Sequence, residues 1–301
     1  MKKYTFPKRA IAVIAASLFA LTACGSSSES ADTTVAESTL RIVSLSPTAT
    51  EMLYAIGAGD QVVAVDSLST FPEEVAPKIT KISAYEPSAE AILGYTPDVV
   101  LISNDMNKIS QQLTAANKDI QVWTGAAAAS IDDVYKQITE LGALTSRVKE
   151  AAELVDSMKT RIAAAKVNAP EGTALAPLSY YYELDNTYYS VTSNTFVGAL
   201  LKNFGMTNIA DGAEAGNDYP QLNAEAIAKA NPNIIFLADT KCCAMDAAKV
   251  AARAGWSGIE AVKSGNVVEL DDDIASRWGP RVVDLVEAFA AAVNKAYGFT
   301  K

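Results

Sequence analysis

The sequence contains no histidine, and its three cysteines are Cys24, Cys242 and Cys243. Without histidine, Ser-His-Asp and Cys-His catalysis, imidazole metal sites and the usual proton shuttle near neutral pH are excluded. Three cysteines, two of them adjacent, form neither a disulfide framework nor a zinc pattern. There is no GxxxxGKS/T loop and no GxGxxG after a strand, so no nucleotide cofactor is indicated. We predict a protein without catalytic residues, cofactor or metal site.

Basic residues are outnumbered by acidic ones, 25 Lys and Arg against 35 Asp and Glu, which gives a formal net charge of −10. A surface of this sign disfavours nucleic acid and anionic lipid as partners. The fractions of hydrophobic residues (50%) and charged residues (20%) are ordinary for a globular protein. A chain of 301 residues is long enough for two domain-sized cores.

Residues 1–23 are predicted to be an export signal. A basic start precedes a 12-residue apolar run at 10–21, which is short for a transmembrane helix. Leu21-Thr22-Ala23-Cys24 then resembles the bacterial lipobox, where the leader is removed before a cysteine that receives a lipid. The alternative is an ordinary secretory signal with an incidental cysteine. Residues 24–39, rich in Ser, Thr and acid, are predicted to be a flexible tether. We expect an exported protein anchored by lipid alone to the outer face of the cell membrane.

Beyond the tether, short apolar runs alternate with stretches of helical periodicity. Strands are predicted at 41–45, 62–65, 98–102, 121–123, 178–184, 187–191, 234–238 and 267–270. Helices are predicted at 48–56, 88–93, 106–117, 131–144, 195–203, 224–230, 244–252 and 281–297. Such alternation is typical of a mainly parallel sheet with helices on both faces. Residues 145–167 contain no Gly or Pro and predict one long helix.

The sequence therefore predicts an α/β protein with an N-terminal lobe (40–144), a bridging helix (145–168) and a C-terminal lobe (169–301), with a cleft between the lobes. An internal echo supports two related lobes. Ser88-Ala89-Glu90 precedes Pro97 and a strand, and Asn223-Ala224-Glu225 precedes Pro232 and a strand. Each Ser or Asn is able to cap a short helix, and each glutamate falls in its first turn. Coincidental helix capping is the alternative.

These features resemble the solute-binding proteins of cobalamin and ferric-siderophore importers. The marks of the resemblance are the opening run from Arg41 to Glu51, the two Glu-to-Pro units, and Ser276-Arg277-Trp278-Gly279-Pro280-Arg281. The opening run is most similar to the cobalamin-binding branch. The resemblance implies two Rossmann-like lobes bridged by one long helix, a monomer, and the permease of an ABC transporter as partner.

In that family a glutamate at the top of each lobe pairs with arginines of the permease. Glu90 and Glu225 match those positions, so the resemblance implies that they dock the protein on the transporter. Rim charges of this kind govern docking rate and specificity more than affinity. The alternative is that both glutamates only stabilise helix N-termini.

Large planar ligands are held by aromatic side chains and a few polar groups, at the carboxyl ends of strands. Residues that follow predicted strands are therefore the ligand-binding candidates: Ser46, Phe71, Tyr85, Tyr189, Tyr219, Asp273, Arg277 and Trp278. Tyr219 matches an aromatic position of the cobalamin binders, whereas Tyr85 lies one position away from the corresponding place. Ordinary packing is the alternative for each aromatic. Of Tyr180, Tyr181 and Tyr182, at least one should face the core.

Arg277 and Arg281 are candidates for binding an anionic group of the ligand. The alternative for Arg281 is a salt bridge at the start of the last helix, where a cation opposes the helix dipole. Cys242 and Cys243 are predicted to form a vicinal disulfide, with two unlinked thiols as the alternative.

The function predicted from these residues is the substrate-binding component of an ABC importer, with a cobalamin-type corrinoid in the cleft. A ferric siderophore and haem are the alternative ligands; haem is disfavoured by the lack of histidine, although tyrosine is able to ligate iron. An enzyme is disfavoured because no catalytic motif is present. A structural or adhesive lipoprotein is disfavoured by the repeated glutamates.

Overall fold

The computed structural model describes residues 39–299, which belong to one compact unit beginning at Thr39. The predicted leader, Cys24 and the tether up to residue 38 lie outside the described residues. Within the described range, none of the helices has the length and apolarity needed to cross a bilayer. The predicted α/β fold class, two lobes with parallel sheets, is confirmed.

The N-terminal lobe is built on a four-stranded parallel sheet. Its strands are β1 (Ile42–Leu45), β2 (Val62–Val65), β3 (Val99–Ile102) and β4 (Gln121–Thr124), in the spatial order β2-β1-β3-β4. Its helices are α1 (Pro47–Ala55), α2 (Ala89–Leu93), α3 (Ile109–Ala116) and α4 (Ile131–Leu144). Short 3-10 turns occur at Gly59–Gln61, Glu73–Lys78 and Met106–Lys108. The strands lie within a residue of their predicted positions.

The bridging helix α5 spans Val148–Ala164, shorter than the predicted 145–168. It begins late because Thr145 ends α4 and Ser146 has a left-handed φ of 60°. The absence of Gly and Pro from 145–167 therefore did not locate the start of the helix. A tight turn between α4 and α5 needs only one residue with positive φ.

The C-terminal lobe repeats the architecture of the first. Its strands are β5 (Ser179–Glu183), β6 (Thr207–Asn208), β7 (Ile234–Leu237) and β8 (Val267–Glu269), all parallel and in the order β6-β5-β7-β8. Its helices are α6 (Phe196–Lys202), α7 (Ala224–Ala230), α8 (Ala247–Ala251), α9 (Glu260–Lys263), α10 (Asp272–Ala275) and α11 (Val282–Tyr297). The two short helices α9 and α10 and the two-residue strand β6 were not predicted.

The predicted strand at 187–191 is wrong. This segment makes one isolated antiparallel bridge, between Tyr189 and Gln221, and Tyr188 has a left-handed φ of 73°. The Asp185 carboxylate also accepts hydrogen bonds from the backbone and hydroxyl of Thr187, which closes a turn instead of extending the chain. The aromatic and β-branched residues here are typical of a strand, but the turn after β5 prevents one.

The two lobes share local details as well as strand order. Asp98 and Asn233 each directly precede the third strand of their lobe, and each accepts a hydrogen bond at 2.8 Å from a backbone N–H at the start of the first strand, that of Arg41 just before β1 and that of Ser179 in β5. Thr96 and Asn231, each just before a proline, have positive φ. The repeated sequence pattern therefore corresponds to the same helix-to-strand connection in both lobes.

Each sheet buries both faces, but against different partners. Alternate strand residues enter one central cluster (Ile42, Val99, Leu101, Tyr180, Tyr182, Phe236), which α5 and α11 complete and which runs through both lobes. The remaining strand residues face a separate outer cluster in each lobe, with Val43 and Val100 in one and Tyr181 and Ile235 in the other. All three consecutive tyrosines of β5 are therefore buried, Tyr181 on the opposite face from its neighbours.

Candidate functional site

A cleft lies where the carboxyl ends of β1 and β3 meet the segment 276–278 of the C-terminal lobe. Its volume is about 360 Å³. The N-terminal wall contributes mainly apolar side chains, among them Leu45, Leu68, Tyr85, Ile102 and Met106. The C-terminal lobe contributes Ser276, Arg277 and Trp278. This is the position expected for a ligand of an open parallel sheet.

Exposed apolar side chains are concentrated at this edge of both lobes. In the N-terminal lobe, Tyr85 is 68% exposed and stands beside the exposed Leu68 and Met106. In the C-terminal lobe, Tyr219 is 55% and Tyr189 is 40% exposed. Their two loops follow β6 and β5 and pair through the bridge from Tyr189 to Gln221. Solvent-exposed aromatics on both lobes are typical of a ligand site.

Five of the eight predicted ligand residues are not among those that line the cleft: Ser46, Phe71, Tyr189, Tyr219 and Asp273. The Ser46 side chain is buried: its hydroxyl caps α1 by accepting a hydrogen bond from the Ala49 N–H and receives a second from the Ser103 hydroxyl at 2.8 Å. Phe71 lies in a separate groove of about 760 Å³ beside α1 and α5, and its ring centroid is 3.9 Å from the Arg281 guanidinium. Ser46 and Phe71 do follow β1 and β2 as predicted. Their side chains, however, do not enter the cleft.

Glu51 joins the two lobes below the cleft. Its carboxylate, whose side chain is 2% exposed, accepts hydrogen bonds from Arg281 Nε at 2.9 Å and Nη2 at 2.5 Å, and from Arg277 Nη1 at 3.0 Å. A Cβ on Gly279 would stand 3.1 Å from Glu51 Oε2, so the glycine permits this close approach. Desolvation by burial lowers the pKa of Arg281, and the hydrogen bonds to Glu51 raise it. The net result is a raised pKa, so the guanidinium stays charged.

For Arg281 the structure shows the alternative, a salt bridge at the start of the last helix, and Arg277 is also paired inside the protein; anion binding by either residue stays a prediction. Arg281 is engaged by Glu51, and Arg277 also pairs with Asp273 at 2.7 Å and donates to the Leu68 carbonyl. Asp273 in turn pairs with Lys241 at 3.0 Å. The predicted ligand residues Asp273 and Arg277 therefore belong to a chain of ion pairs, in which only Arg277 lines the cleft.

Trp278 lines the cleft as predicted and also crosses between lobes, because its indole N–H donates to Gln137 of α4 at 3.2 Å. The sequence reasoning missed Glu51 and Met106. Glu51 had a usable signal: it is an acid within the first helix with no basic residue within four positions, while Arg277 and Arg281 follow far along the chain. The exposure of Met106 left no signal in the sequence, since single exposed apolar residues are common.

The two glutamates of the sequence echo occupy equivalent places. Glu90 lies in the first turn of α2, between β2 and β3, and Glu225 in the first turn of α7, between β6 and β7. The Ser88 and Asn223 side chains cap these helices, accepting from the backbones of Ala91 and Ala226. Both glutamates are exposed. Each lies the same number of residues before the third strand of its lobe.

Cys242 and Cys243 lie in the turn after β7, and both are free cysteines. Their Sγ atoms are 2.9 Å apart, longer than the S–S bond of about 2.05 Å. The predicted vicinal disulfide is therefore replaced in the structure by two neighbouring thiols. Among the residues at 39–299, no group of three or more Cys, Asp or Glu side chains is arranged to hold a metal ion.

Behind this turn the end of β5 carries a buried ion pair. Glu183 accepts two hydrogen bonds from Arg253, both at 2.6 Å, and its side chain has no solvent exposure. Asp239 is also fully buried, and neither of its carboxylate oxygens has a hydrogen-bond partner. Desolvation first, and then the nearby Glu183 carboxylate, raise the pKa of Asp239 to about 7. One arginine thus faces two buried carboxyl groups, which favours a proton on the second.

The comparisons with known proteins agree with this architecture. A model of the periplasmic binding protein family matches residues 42–274, more than half of the chain. The chain belongs to this family. It is 32% identical, over 87% of its length and 82% of the relative's, to an uncharacterised ABC transporter substrate-binding lipoprotein of Bacillus subtilis. It is 31% identical, over 84% of its length and 69% of the relative's, to a cobalamin-binding protein of Halobacterium salinarum.

A solved structure with the same fold is the periplasmic haem-binding protein of Vibrio cholerae, with a TM-score of 0.73 at 22% identity. The match covers 84% of this chain and 98% of that one. Family and neighbours are solute-binding proteins of transporters, and this chain is accordingly a solute-binding protein and not an enzyme.

Proposed function

We propose that this protein captures a cobalamin-type corrinoid between its lobes and delivers it to the permease of an ABC importer. The observation that carries the proposal is the set of exposed apolar side chains on both lobes: Tyr85, Leu68 and Met106 in the cleft wall of the first, and Tyr189 and Tyr219 in loops after strands of the second. A large macrocycle with apolar faces is the kind of ligand that such walls hold. The name of the Halobacterium relative supports the same ligand.

The charge of the cleft favours a corrinoid over an anionic ferric catecholate. Arg277 is the single charged residue among the described residues that line the cleft, and Glu51 and Asp273 already neutralise it. A polyanionic ligand would have to be desolvated here without a free cation to pair with, which is costly. An uncharged ligand meets no such penalty.

Calorimetric titration of the purified protein with cyanocobalamin, haem and a panel of ferric siderophores tests this proposal. We expect saturable one-to-one binding of cyanocobalamin. Binding of a ferric siderophore with no response to cyanocobalamin would overturn the corrinoid assignment and select the siderophore alternative. Binding of haem alone would select haem, with an exposed tyrosine as the iron ligand.

Tyr219→Ala tests the aromatic wall. If Tyr219 stacks on the ligand, its removal weakens binding by about 1–3 kcal/mol. Val148→Ala is the matched control, because Val148 is another exposed apolar residue but lies at the start of α5 and not in a loop after a strand. A dissociation constant that is equal in both variants would remove Tyr219 from the site.

We assign transporter docking to Glu90 and Glu225. Two exposed carboxylates at equivalent places on the two lobes suit a basic, two-part partner surface. Glu90→Ala with Glu225→Ala should keep ligand affinity and lower the association rate with the permease and the uptake rate. Glu153→Ala with Glu214→Ala changes the net charge equally at other exposed sites and should leave uptake unaltered. Equal uptake by the two double variants would contradict the docking role.

The protein is proposed to be exported and held at the membrane by a lipid on Cys24, with residues 24–39 as the tether. The lipobox resemblance supports this, as does the name of the Bacillus relative. Metabolic labelling with a tagged fatty acid should mark the wild type and not Cys24→Ser. Label retained by the variant would contradict lipidation at this cysteine.

A further inference from the structure

The turn that carries Cys242 and Cys243 is held by hydrogen bonds from its backbone N–H groups to the Asp272 side chain of α10 and to the Asp239 carbonyl. The Asp272 carboxylate accepts hydrogen bonds from the N–H groups of Lys241 and Cys242, the latter at 2.8 Å. The Asp239 carbonyl accepts from Cys243 and Met245, both at 3.2 Å. The backbone donors of both cysteines are therefore used, and the two thiols project from this turn.

Packing alone does not account for both thiols. Cys243 is half-buried against the outer cluster of the C-terminal lobe, but Cys242 is exposed, and each sulfur has the other as its neighbour at 2.9 Å. Soft metal and metalloid centres bind thiolate sulfur in preference to oxygen or nitrogen ligands. With metal–sulfur bonds of about 2.3 Å, both sulfurs reach one centre after their separation widens by a few tenths of an ångström.

The surroundings limit what kind of centre fits. Zinc in proteins takes four ligands, and among the described residues no third Cys, Asp or Glu completes such a set with the two thiols. A two-sulfur site instead suits a thiophilic centre that arrives with its remaining ligands already attached, such as an organic arsenical or a metal held in a macrocycle. We propose that Cys242 and Cys243 form a binding site for one thiophilic metal or metalloid centre of this pre-ligated kind.

A short series of ion pairs connects the residue next to this site with the cleft. The Lys241 side chain, next to Cys242, pairs with Asp273 at 3.0 Å, and Asp273 pairs with the cleft-lining Arg277 at 2.7 Å. The centre is therefore either a free compound or the cobalt of a corrinoid bound in the cleft, and the second source rests on the proposed function. Two sulfurs bind an arsenical, whereas a corrinoid cobalt has one open axial position for a single sulfur.

Binding displaces thiol protons and involves no oxidation. An arsenoxide and two thiols give a dithioarsenite and one water molecule, which carries both thiol protons, so arsenical capture should not depend on pH while the thiols are protonated. A cobalt-bound water exchanges for a thiolate, and the thiol proton passes to solvent, so cobalt capture should strengthen as pH rises.

Intact-mass titration with phenylarsine oxide tests the dithiol. The reduced wild type is expected to take up one phenylarsenic group and to lose two titratable thiols. C242S and C243S should each bind about 100-fold more weakly, because one sulfur loses the chelate effect. The double variant C242S/C243S is the control; it retains Cys24, so any signal from that cysteine cancels in the comparison.

Three results would overturn the proposal. The first is equal uptake by the wild type and the double variant. The second is wild-type protein that has lost two hydrogens by mass and binds the arsenical only after reduction, because the pair would then be a disulfide. The third is binding of free Zn²⁺ more tightly than phenylarsine oxide, since the site would then supply a full ligand set.

Visible spectra with aquocobalamin and cyanocobalamin distinguish the two sources. A spectral shift of aquocobalamin with the wild type, absent with C242S/C243S, assigns the centre to the corrinoid cobalt. If the wild type captures the arsenical but the corrinoid spectra of the wild type and C242S/C243S are identical, the natural ligand of the dithiol is a free compound. If neither corrinoid binds while the arsenical does, the proposed function fails and the dithiol site stands.

Discussion

The two lobes share strand order and connections but stabilise the end of their first strand in opposite ways. In the N-terminal lobe, buried hydroxyls meet there: Thr50 donates to Ser44 at 2.9 Å and to Ser69 at 3.1 Å. In the C-terminal lobe the end of the first strand holds the Glu183–Arg253 ion pair, one register position further on than Ser44 and therefore on the other face of the sheet, with the unpartnered Asp239 nearby. One topology therefore accepts neutral or charged chemistry near the end of its first strand, but an unpaired charge is far more costly to bury than an unpaired hydroxyl.

Arg253→Met should have the largest effect on this comparison. It leaves Glu183 buried without a partner and removes the guanidinium that lies 4.5 Å from the Trp256 ring, so we expect a loss of about 3–5 kcal/mol in the free energy of unfolding. Denaturant titration measures it. Lys149→Met breaks an exposed pair and should change stability by less than about 0.5 kcal/mol. Similar losses in the two variants would refute the difference between buried and exposed pairs.

Glu51→Gln tests whether the lobes behave as one unit. The change leaves Arg277 and Arg281 without their shared carboxylate, and we expect a loss of about 2–3 kcal/mol. Because this contact joins the lobes, unfolding should also become less cooperative, with separate fluorescence and circular-dichroism transitions. Glu153→Gln, on the surface of α5, is the control. A single unshifted transition would show that α5 and the shared core suffice to couple the lobes.

Asp239→Asn should remove part of the pH dependence. The pKa of Asp239 is raised to about 7 from an ordinary 3.8, so the folded state favours the proton and stability is lost as pH rises from about 4 through 7. Glu183, Arg253 and Asp272 are the charged groups that act on it. The variant should lose less stability than the wild type over this range, by about 1–2 kcal/mol.

Asp66→Asn is the matched control in the N-terminal lobe. Burial raises the pKa of Asp66 as well, but the N–H groups of Leu68 and Ser69 donate to its Oδ1 at 2.7 and 2.8 Å and oppose the shift. The change in pH dependence should therefore be smaller than for Asp239→Asn. A larger change in pH dependence for Asp66→Asn than for Asp239→Asn would contradict the assignment of the more strongly raised pKa to Asp239.

Thr50→Val should have the smallest effect. It removes one buried hydroxyl that donates to Ser44 and Ser69, and we expect a loss of about 1 kcal/mol in thermal or denaturant unfolding. Thr160→Val on exposed α5 removes a comparable hydroxyl and should be close to neutral. If Thr50→Val lowered the free energy of unfolding as much as Arg253→Met, the predicted difference between buried hydroxyls and buried charges would be wrong.

Much of the fold could be read from the sequence because the strands at the centre of the sheets, such as β1, β3 and β7, are fully buried and almost entirely apolar. Val62–Val65, Ile131–Leu144 and Ala224–Ala230 were predicted with the bounds that the structure gives. Errors fell where single residues with positive φ decide the path, as at Ser146 and Tyr188, or where an element has only two to four residues, as in β6 and α10. Periodicity needs longer segments to be informative.

The candidate site was harder to predict than the fold. Tyr85, Arg277 and Trp278 do line the cleft, but Ser46 is buried as a helix cap and Phe71 lies in another groove. Sequence placed these residues after strands, which locates a loop to within a few ångströms. The direction of each side chain depends on what packs around the loop, and no local pattern records that.

The sequence by itself determined the class of fold, the two related lobes and the helix that bridges them, because burial of alternating apolar residues leaves few other arrangements. It also placed Glu90 and Glu225 at equivalent positions. The tertiary structure decided which charges are free. Glu51 meets Arg277 and Arg281 from more than two hundred residues away, so two arginines that the sequence offers to a ligand are neutralised inside the protein. Such a pairing arises only when the lobes come together, since it depends on distance in space and not along the chain.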